Sequence, residues 1–551
     1  MAAAPRTVAA GIIAHAARAP RRIALTTPDG DVEYGQLAAG IEELARTLRA
    51  EGVGPETVCA VAVEPGAHAV TAMAAVNHAG AAFLTVDVGQ PPERLAAFTR
   101  TAGATLLLTT SGVAPRLGLE LPAVLLDRLP PRPADTGRYG TGDRPRTGPA
   151  EAEGPVHPRA LAYVSHTSGS TGEPSTVLIE HRSLNEYLQD TARAFELGPD
   201  TVALAMAPLG YDASIRDTLI PLLAGGRLVL AERSQLLRPE AFVRTLRAHR
   251  VTALLSVTPS FLSHLAGQPA LTDPLAGVAL VASSGESLRP FLTAGGRGLV
   301  HGRLINQYGP TECTMTTTRF AVPSGTSDAA EHGPATASGA SPASGPSASS
   351  GASAETGPDL VGTARAGTLI RLLDDRLAPV APGEVGEVCI GGTGLARGYR
   401  DRPARTAECF VPDPCGPPGA RLYRTGDFGR LDRDGRLEYL GRTDRQVKIR
   451  GYRVDPAEIE GALLAHPLIS GAVVTTHHDE QGRVHLVAHL AGELDDVPDS
   501  ALRAHLLRLL PPHLMPRRFL RLDVLPTTRG GKADRRALAG GGGSPAGGGR
   551  S

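Results

Sequence analysis

Lysine and cysteine are both scarce in this 551-residue sequence, and each shortage excludes a class of protein. The 56 basic residues include only two lysines, Lys448 and Lys532, and neither belongs to the Gly-Lys-Ser/Thr step of a Walker A phosphate loop. The five cysteines are scattered and form no Cys-x-x-Cys pair, which argues against a disulfide framework. No apolar run reaches the roughly 18 residues that a membrane span needs.

An excess of charge of one sign is also missing, because 56 acidic residues balance the 56 basic ones. This balance argues against nucleic acid or an anionic membrane as a partner. The apolar share of 42% and the charged share of 20% are typical of a soluble globular protein. His15 and Arg18 interrupt the apolar stretch near the amino terminus, which argues against a signal peptide and predicts a cytoplasmic protein.

Strand-like and helix-like stretches alternate over the first 320 residues. The strand-like residues 57–63, the helix-like residues 67–77 and the strand-like residues 82–86 illustrate the order. Such alternation predicts α/β architecture, with sheets covered by helices. Ser183 is expected to begin a helix, because Glu186 three residues later completes a capping box.

The remaining chain divides by composition. Residues 444–538 are predicted to form a smaller α+β unit, in which residues 446–454 form one strand, whereas residues 1–443 form the large core. Residues 323–358 contain almost only Ala, Ser, Gly, Thr and Pro and predict a disordered insertion. The glycine-rich tail at 539–551 is expected to be flexible.

One segment has the composition of a loop that binds phosphate. Residues 167–172 read Thr-Ser-Gly-Ser-Thr-Gly and directly follow a strand-like stretch. Glycine lets backbone N–H groups curl toward an anion, and hydroxyl groups add hydrogen-bond donors. A polar surface turn would have the same composition, so this segment alone leaves both interpretations open.

Three further segments make the pattern specific. Residues 306–312 read Asn-Gln-Tyr-Gly-Pro-Thr-Glu, residues 423–427 read Tyr-Arg-Thr-Gly-Asp, and residues 441–451 combine a polar joint with an alternating strand. In this order and spacing, the four segments resemble the adenylation domains of nonribosomal peptide synthetases, within the adenylate-forming superfamily that includes acyl-CoA synthetases. The resemblance extends over nearly the whole chain.

The resemblance implies a fold, a reaction and partners. The expected fold is a large α/β domain of layered sheets with a small β-barrel part, followed by a mobile α+β domain. The expected reaction joins an amino acid carboxylate to the α-phosphate of Mg²⁺-bound ATP, and the phosphopantetheine thiol of a carrier protein then accepts the acyl group. A discrete carrier partner is expected, because the sequence has no carrier signature, and an MbtH-like helper protein is a further candidate.

The same resemblance assigns the nucleotide site. The residues expected to bind the phosphates are Thr167, Ser168, Gly169, Ser170, Thr171 and Gly172. The residues expected around the nucleoside are Gly285, Tyr308, Gly309, Asp427 and Tyr439, with Tyr308 facing the adenine and Asp427 holding both ribose hydroxyls.

The catalytic and hinge residues also follow from the resemblance. Thr311 is expected to contact the α-phosphate, Glu312 to hold Mg²⁺ and Arg442 to meet phosphate. Lys532 is expected to reach both the attacking carboxylate and the α-phosphate. Asp444 lies at the expected hinge, where rotation would present first Lys532 and then the Lys448 strand to the site.

The phosphate segment departs from the family pattern. Glu173, Ser175 and Thr176 replace part of the usual Lys-Pro-Lys-Gly, so cations are lost and an acid is added. Weaker ATP binding is one interpretation. A tolerant loop is the other, and it is favoured because the remaining nucleotide motifs are intact.

Asp212 indicates that the substrate is an amino acid. It matches the residue that pairs with the substrate ammonium, and Tyr211 matches an aromatic residue that shields the carboxylate. Arg216 predicts a polar and acidic substrate side chain, unless it pairs internally with Asp217. The residues expected to line the side-chain pocket are Ala213, Arg216, Ser256, Ala282, Ser284, Gln307, Met315 and Thr316.

Two alternatives to an amino acid adenylating enzyme stay open at this point. The first is an acid–CoA ligase of the same superfamily, against which Asp212 argues. The second is a non-catalytic nucleotide-binding homologue, for which Glu173 is the sequence support.

Overall fold

The computed structural model describes most of the chain. The described residues are 7–129, 156–167, 174–324, 358–442, 447–449, 451–479, 484–494, 496–526 and 535–540. Several predicted features lie outside them, namely most of the insertion, most of the tail, Ser168, Gly169, Ser170, Thr171, Gly172, Glu173, Asp444 and Lys532.

Helices are distributed along the whole described chain, and several begin with a side-chain cap or an early proline. Thr7 caps α1 by accepting a hydrogen bond from the Ala10 N–H, and Asp455 caps α13 in the same way through the Ala457 N–H. The helices are α1 (Val8–Arg18), α2 (Tyr34–Ala50), α3 (Ala67–His78), α4 (Pro92–Ala102), α5 (Ala114–Leu117), α6 (His181–Ala194), α7 (Ala213–Leu223), α8 (Arg233–Leu237), α9 (Pro239–His249), α10 (Pro259–Ala266), α11 (Arg289–Thr293), α12 (Pro403–Cys409), α13 (Pro456–Leu464), α14 (Asp499–Leu509) and α15 (Arg535–Gly540).

Strands alternate with these helices in the first half and follow one another in the second half. The strands are β1 (Ile23–Thr27), β2 (Gly30–Glu33), β3 (Val58–Val61), β4 (Ala82–Thr85), β5 (Ala104–Thr109), β6 (Ala123–Leu125), β7 (Leu161–Thr167), β8 (Ser175–Glu180), β9 (Val202–Leu204), β10 (Arg227–Val229), β11 (Ala253–Val257), β12 (Leu280–Ser284), β13 (Arg303–Tyr308), β14 (Thr318–Val322), β15 (Leu360–Ala364), β16 (Thr368–Leu373), β17 (Gly386–Gly392), β18 (Gly398–Tyr399), β19 (Phe410–Pro412), β20 (Arg421–Leu431), β21 (Leu437–Arg442), β22 (Val447–Ile449), β23 (Tyr452–Val454), β24 (Ile469–His478), β25 (Val484–Gly492) and β26 (Arg518–Arg521).

Two large sheets form the body of the protein. The first sheet has the strand order β18-β8-β7-β4-β3-β5-β6. The second sheet has the order β16-β17-β20-β21-β15-β14-β13-β12-β11-β9-β10-β1-β2, and its strands β13, β12, β11, β9 and β10 are parallel. The antiparallel strands β15–β17 and β19–β21 join the second sheet through β14. Helices α2, α3 and α6 pack their apolar faces into the same core as these sheets. The predicted layered α/β architecture is therefore confirmed.

The carboxyl-terminal part has a core of its own. The strands β24, β25 and β26 form a separate sheet, and one hydrophobic cluster consists wholly of residues between Ile449 and Phe519. We refer to the described residues up to Arg442 as the large lobe and to those from Val447 onward as the small lobe. The predicted boundary at 443–444 lies between them, outside the described residues.

Two sequence predictions about local structure are wrong. Helix α6 begins at His181 rather than after Ser183, because β8 leads directly into the helix, and the Ser183 hydroxyl donates to the Thr393 carbonyl oxygen at 2.7 Å. Residues 446–454 do not form one strand. Strands β22 and β23 form a hairpin that pairs Lys448 with Arg453, and Gly451 has a positive φ of 82° at the reversal. Side chains alternate between the two faces with a period of two residues in both β22 and β23. The alternation of residue types therefore does not reveal the turn between the two strands.

Tyr34 connects distant parts of the core. Its side chain is fully buried at the start of α2, and its hydroxyl lies 3.0 and 2.8 Å from the carbonyl oxygens of Leu222 and Gly226. These two carbonyls belong to the end of α7 and the turn that follows it. The hydroxyl therefore donates to buried carbonyls at the end of this helix, and the Leu222 carbonyl also accepts the Gly225 N–H at 3.1 Å.

Replacing this tyrosine tests its structural role. We expect Tyr34→Phe to lower the free energy of unfolding by about 1–3 kcal/mol, because the Gly226 carbonyl loses its hydroxyl donor inside the core. The measurement is urea denaturation followed by circular dichroism. Tyr163→Phe is the matched control, because Tyr163 is equally buried but its hydroxyl has no hydrogen-bond partner among the described residues. Equal losses in the two variants would contradict the assignment.

Candidate active site

The predicted substrate pocket lies at the carboxyl ends of three neighbouring parallel strands. Ser256 is near the end of β11, Ser284 ends β12, and Gln307 lies opposite Ser284 on β13. Crevices at the carboxyl ends of strands are the usual binding places of open α/β sheets. Helix α7 crosses this edge and brings its first turn to the three side chains.

Arg216 is the central residue of the pocket and is only 1% exposed. Its guanidinium donates to Ser256 Oγ at 2.9 Å, to Ser284 Oγ at 3.0 Å and to Gln307 Oε1 at 3.3 Å. All three acceptors are neutral. Asp217 does not form an ion pair with Arg216, because its Oδ2 atom accepts the N–H groups of Met206 and Ala207 instead. The guanidinium is thus buried without a carboxylate in direct contact, within the described part of the chain.

Asp212 lies one turn before Arg216, at the amino-terminal end of α7. Burial raises the pKa of its carboxyl, whereas a hydrogen bond from the Thr311 side chain and the charge of Arg216 act in the opposite direction. The Oδ2 atom is buried, and no described residue hydrogen-bonds to it. A buried carboxylate oxygen without a partner is costly, and a cationic ligand group would satisfy it.

The remaining pocket residues are brought to the same region. Gln307 Nε2 donates to Thr316 Oγ1 at 3.3 Å, and the Tyr187 hydroxyl lies 2.9 Å from the same oxygen. Met315 is buried beside them and has a positive φ of 69°. Ala213 follows Asp212 on α7, and Ala282 lies two residues before Ser284 on β12.

The predicted nucleoside residues form a second, adjoining cluster. The Tyr308 hydroxyl donates to Asp427 Oδ2 at 2.6 Å, and burial together with this carboxylate raises the pKa of Tyr308 well above its usual value. Arg442 Nη1 lies 2.8 Å from Asp427 Oδ1, because the two residues are cross-strand partners on β20 and β21. The Tyr439 ring lies 5.8 Å from the Tyr308 ring. Two donors from different strands, the Tyr308 hydroxyl and the Arg442 guanidinium, therefore hold the Asp427 carboxylate in one orientation.

Glu312 lies on a short 3₁₀ turn between the two clusters. The turn begins at Thr311, directly after Pro310, and Glu312 is 1% exposed. The Tyr399 hydroxyl donates to Glu312 Oε1 at 2.7 Å. The carboxylate is thus fixed by a residue 87 positions away in the chain.

The small lobe closes over the nucleoside cluster. Lys448 Nζ lies 5.6 Å from the centre of the Tyr308 ring and 5.7 Å from that of Tyr439. Gly285 approaches Gly451 so closely that a Cβ atom on Gly285 would lie 3.2 Å from the Gly451 Cα atom. Two glycines therefore permit the contact between the lobes.

Comparison with known proteins matches this arrangement to a family. The family model described as "AMP-binding enzyme" matches residues 13–400, and the model of its carboxyl-terminal domain matches residues 458–532.

The chain belongs to the AMP-binding enzyme family.

Its relatives are peptide synthetases. The chain is 38% identical over 532 residues to the phosphinothricin tripeptide synthetase PhsC of Streptomyces viridochromogenes, and the match covers 95% of this chain and 44% of that protein. It is 33% identical over 532 residues to a dimodular nonribosomal peptide synthase of Bacillus subtilis, with 94% and 20% covered. The chain thus spans less than half the length of either synthetase.

The fold matches solved adenylation domains as well. The structure of holo-PA1221, described as a nonribosomal peptide synthetase protein with adenylation and PCP domains bound to a vinylsulfonamide inhibitor, superposes with a TM-score of 0.77. It is 28% identical, and the match covers 97% of this chain and 84% of that chain. This AMP-binding chain is therefore an adenylation domain of the nonribosomal peptide synthetase type.

The structure brings most predicted site residues of this adenylation domain together, but not all of them can be placed. Thr167 ends β7 at the entrance to the phosphate segment, while Ser168 to Gly172 and Lys532 lie outside the described residues. Ser175 and Thr176 belong to β8 and pair with Thr167 and His166. None of the described helices is long and apolar enough to cross a membrane.

Sequence reasoning missed several residues of the site. Tyr399 contacts Glu312, Tyr187 contacts Thr316, and Glu286 accepts the Gly451 N–H at 2.7 Å. Tyr399 lies in a segment that matched the family, but nothing local connects its hydroxyl to a carboxylate 87 residues earlier. Such contacts depend on tertiary packing and leave no periodic signal in the sequence.

Proposed function

We propose that this adenylation domain activates an amino acid as its aminoacyl adenylate, with ATP and Mg²⁺, and then transfers the acyl group to the phosphopantetheine thiol of a carrier protein. The observation that carries the proposal is the buried Oδ2 atom of Asp212, which lacks a partner among the described residues. An α-ammonium group would supply both the charge and the hydrogen-bond donor that this oxygen needs. A fatty or aryl acid has no such group.

The first half-reaction joins two anions. A carboxylate oxygen of the amino acid attacks the α-phosphorus of ATP, and the bond to the bridging oxygen of pyrophosphate breaks. In the proposed assignment, Tyr308 and Asp427 bind the nucleoside, Thr311 contacts the α-phosphate, and Lys532 neutralises charge between the carboxylate and the phosphate. Arg442 is assigned to the nucleotide as well, and its ion pair with Asp427 favours a position near the ribose.

The residues around Glu312 fit a magnesium ion that is shared with ATP. Mg²⁺ is usually bound by one or two carboxylates together with substrate phosphates. Glu312 supplies one buried, oriented carboxylate, and the described residues contain no cluster of three ligands that would hold a metal without ATP. When bound, the ion would neutralise phosphate charge, and Glu312 would hold it in place.

The pocket chemistry supports an acidic amino acid. Arg216 is buried against three neutral acceptors, so its charge lacks a direct counterion among the described residues. A substrate carboxylate would complete this site, as planar guanidinium groups bind carboxylates well. We therefore propose aspartate, glutamate or a longer homologue as the substrate.

A carrier protein is the proposed acceptor of the acyl group. The solved relative PA1221 contains adenylation and PCP domains, which supports a carrier partner for this chain. An MbtH-like helper remains a prediction from the sequence and should be supplied in a parallel reaction.

The proposed function is tested by ATP–pyrophosphate exchange across a panel of amino acids. We expect exchange that depends on the amino acid and is fastest with an acidic side chain, because Asp212 and Arg216 then both find partners. Aliphatic substrates that outperform every polar one would contradict the pocket assignment. Activity only with carboxylic acids that lack an amino group, with release of AMP in the presence of CoA, would identify an acid–CoA ligase instead.

Substitution of Arg216 tests its role in specificity. We expect Arg216→Met to lower kcat/KM for the acidic substrate by about 10- to 100-fold, because a charge-assisted hydrogen bond is lost. Arg216→Lys keeps the positive charge, so we expect it to lower kcat/KM for the acidic substrate less than Arg216→Met does. The measurement is pyrophosphate exchange with the acidic amino acid and with its uncharged amide. If Arg216→Met affects both substrates equally, Arg216 has only a structural role.

Substitution of Tyr399 tests the orientation of Glu312. We expect Tyr399→Phe to raise the Mg²⁺ concentration for half-maximal exchange by about tenfold, because residues that orient a metal ligand affect metal affinity at this level. Saturating Mg²⁺ should restore most of the rate. A lower rate with an unchanged Mg²⁺ dependence would contradict the role.

A further inference from the structure

A buried ion pair connects the two lobes. Arg94 belongs to α4 of the large lobe, and Glu458 lies in the first turn of α13 of the small lobe. The distance between Arg94 Nη1 and Glu458 Oε1 is 2.5 Å. The Glu458 side chain is only 4% exposed and that of Arg94 only 13%. The Arg94 guanidinium also lies over the Phe98 ring, 4.9 Å from its centre. The pair is therefore packed into the interface rather than held loosely on the surface.

The free-energy cost of burying the Glu458 carboxylate depends on the neighbouring Arg94 guanidinium. Burial raises the pKa of the Glu458 carboxyl, and the charge of Arg94 acts against this rise. Burial therefore disfavours the charged carboxylate, and Arg94 is the neighbouring cation that offsets part of that cost. Removing one partner of a buried pair is far more destabilising than replacing both by apolar residues. Without Arg94, this orientation of the small lobe would bury an uncompensated charge.

Further contacts of the same interface involve the substrate pocket and the nucleoside cluster. The His513 ring stacks on Tyr452 at 4.0 Å, and its Nε2 atom lies 3.1 Å from the hydroxyl of Tyr211, the neighbour of Asp212. Burial lowers the pKa of His513 to about 4, so the imidazole is neutral near pH 7, and its tautomer decides which of the two groups donates in this contact. These contacts accompany the orientation in which Lys448 faces Tyr308.

We propose that Arg94 and Glu458 are positioning residues for acyl transfer, because their ion pair holds the small lobe in the orientation that brings Lys448 to the nucleoside cluster. This inference rests on the proposed function and on the rotation about Asp444 that the sequence predicts between adenylation and acyl transfer. Neither residue contacts the substrate pocket residues Asp212 and Arg216 or the nucleoside residue Asp427 through a hydrogen bond or ion pair found among the described residues. Their effect is expected on the balance between the two half-reactions.

The first test measures acyl transfer and pyrophosphate exchange separately in the Arg94→Ala variant. We expect the rate of single-turnover acyl transfer from preformed adenylate to pantetheine to fall about tenfold or more, since the orientation would then bury Glu458 unpaired. Pyrophosphate exchange should be unchanged or faster, because only the alternative orientation performs that step. Arg116→Ala is the matched control, as Arg116 forms a 3.0 Å ion pair with Glu64 that is more than 60% exposed and lies within the large lobe.

A rescue variant distinguishes positioning from damage to the fold. Arg94→Met combined with Glu458→Leu removes both charges and should restore acyl transfer to within about threefold of wild type. Hydrogen-exchange mass spectrometry of residues 451–460 gives an independent readout, in which Arg94→Ala should increase exchange and the double variant should reverse it.

The outcomes separate this inference from the proposed function. A wild-type protein without amino-acid-dependent pyrophosphate exchange would overturn the proposed function. An active wild type whose hydrogen exchange is unchanged by Arg94→Ala would overturn the positioning role. Equal losses of both half-reactions, without recovery in the double variant, would also overturn it, because that pattern indicates general destabilisation.

Discussion

The site depends on two charged groups that lie one turn apart, the buried Oδ2 atom of Asp212 at the start of α7 and the buried guanidinium of Arg216 within that helix. Asp212 presents a carboxylate oxygen without a partner among the described residues, and Arg216 presents a guanidinium bound only by neutral acceptors there. Neither arrangement is favourable for stability, because buried charges need counterions. Strands β11, β12 and β13 supply the three neutral acceptors of Arg216, and the Thr311 side chain hydrogen-bonds to Asp212. The same desolvation makes a ligand with complementary charges bind more strongly than it would at a surface.

The nucleoside cluster differs from the substrate pocket, because the carboxylate of Asp427 already has a cationic partner. Asp427 is bound by Tyr308 and Arg442, which come from different strands of the same sheet. A carboxylate that is already oriented requires little reorganisation when hydroxyl groups of a ligand arrive. The rings of Tyr308 and Tyr439 supply apolar surface beside it. The predicted substrate pocket therefore contains charged groups without direct counterions, whereas the carboxylate of the predicted nucleoside cluster already has its partners.

The small lobe, which the sequence predicts to be mobile, contacts both clusters. Its hairpin brings Lys448 to the nucleoside cluster, and His513 reaches Tyr211 beside the substrate pocket. The interface contains an ion pair, a hydrogen-bonded imidazole and two closely packed glycines. Interfaces of this polar kind permit domain motion, because their groups find water when they separate. The predicted hinge at Asp444 lies between the lobes in the sequence.

The amino-acid sequence was sufficient to predict the α/β class, the order of the motifs and several residues that meet in the predicted pocket. Hydrophobic alternation and glycine turns are local, so β3, α3 and β4 were predictable within a few residues. The neutral partners of Arg216, the hairpin within residues 446–454 and the contact of Tyr399 with Glu312 are visible only in the folded chain. These contacts join residues 40 to 91 positions apart, or depend on a single reversal of the backbone. Packing selects such pairs, and periodicity carries no information about them.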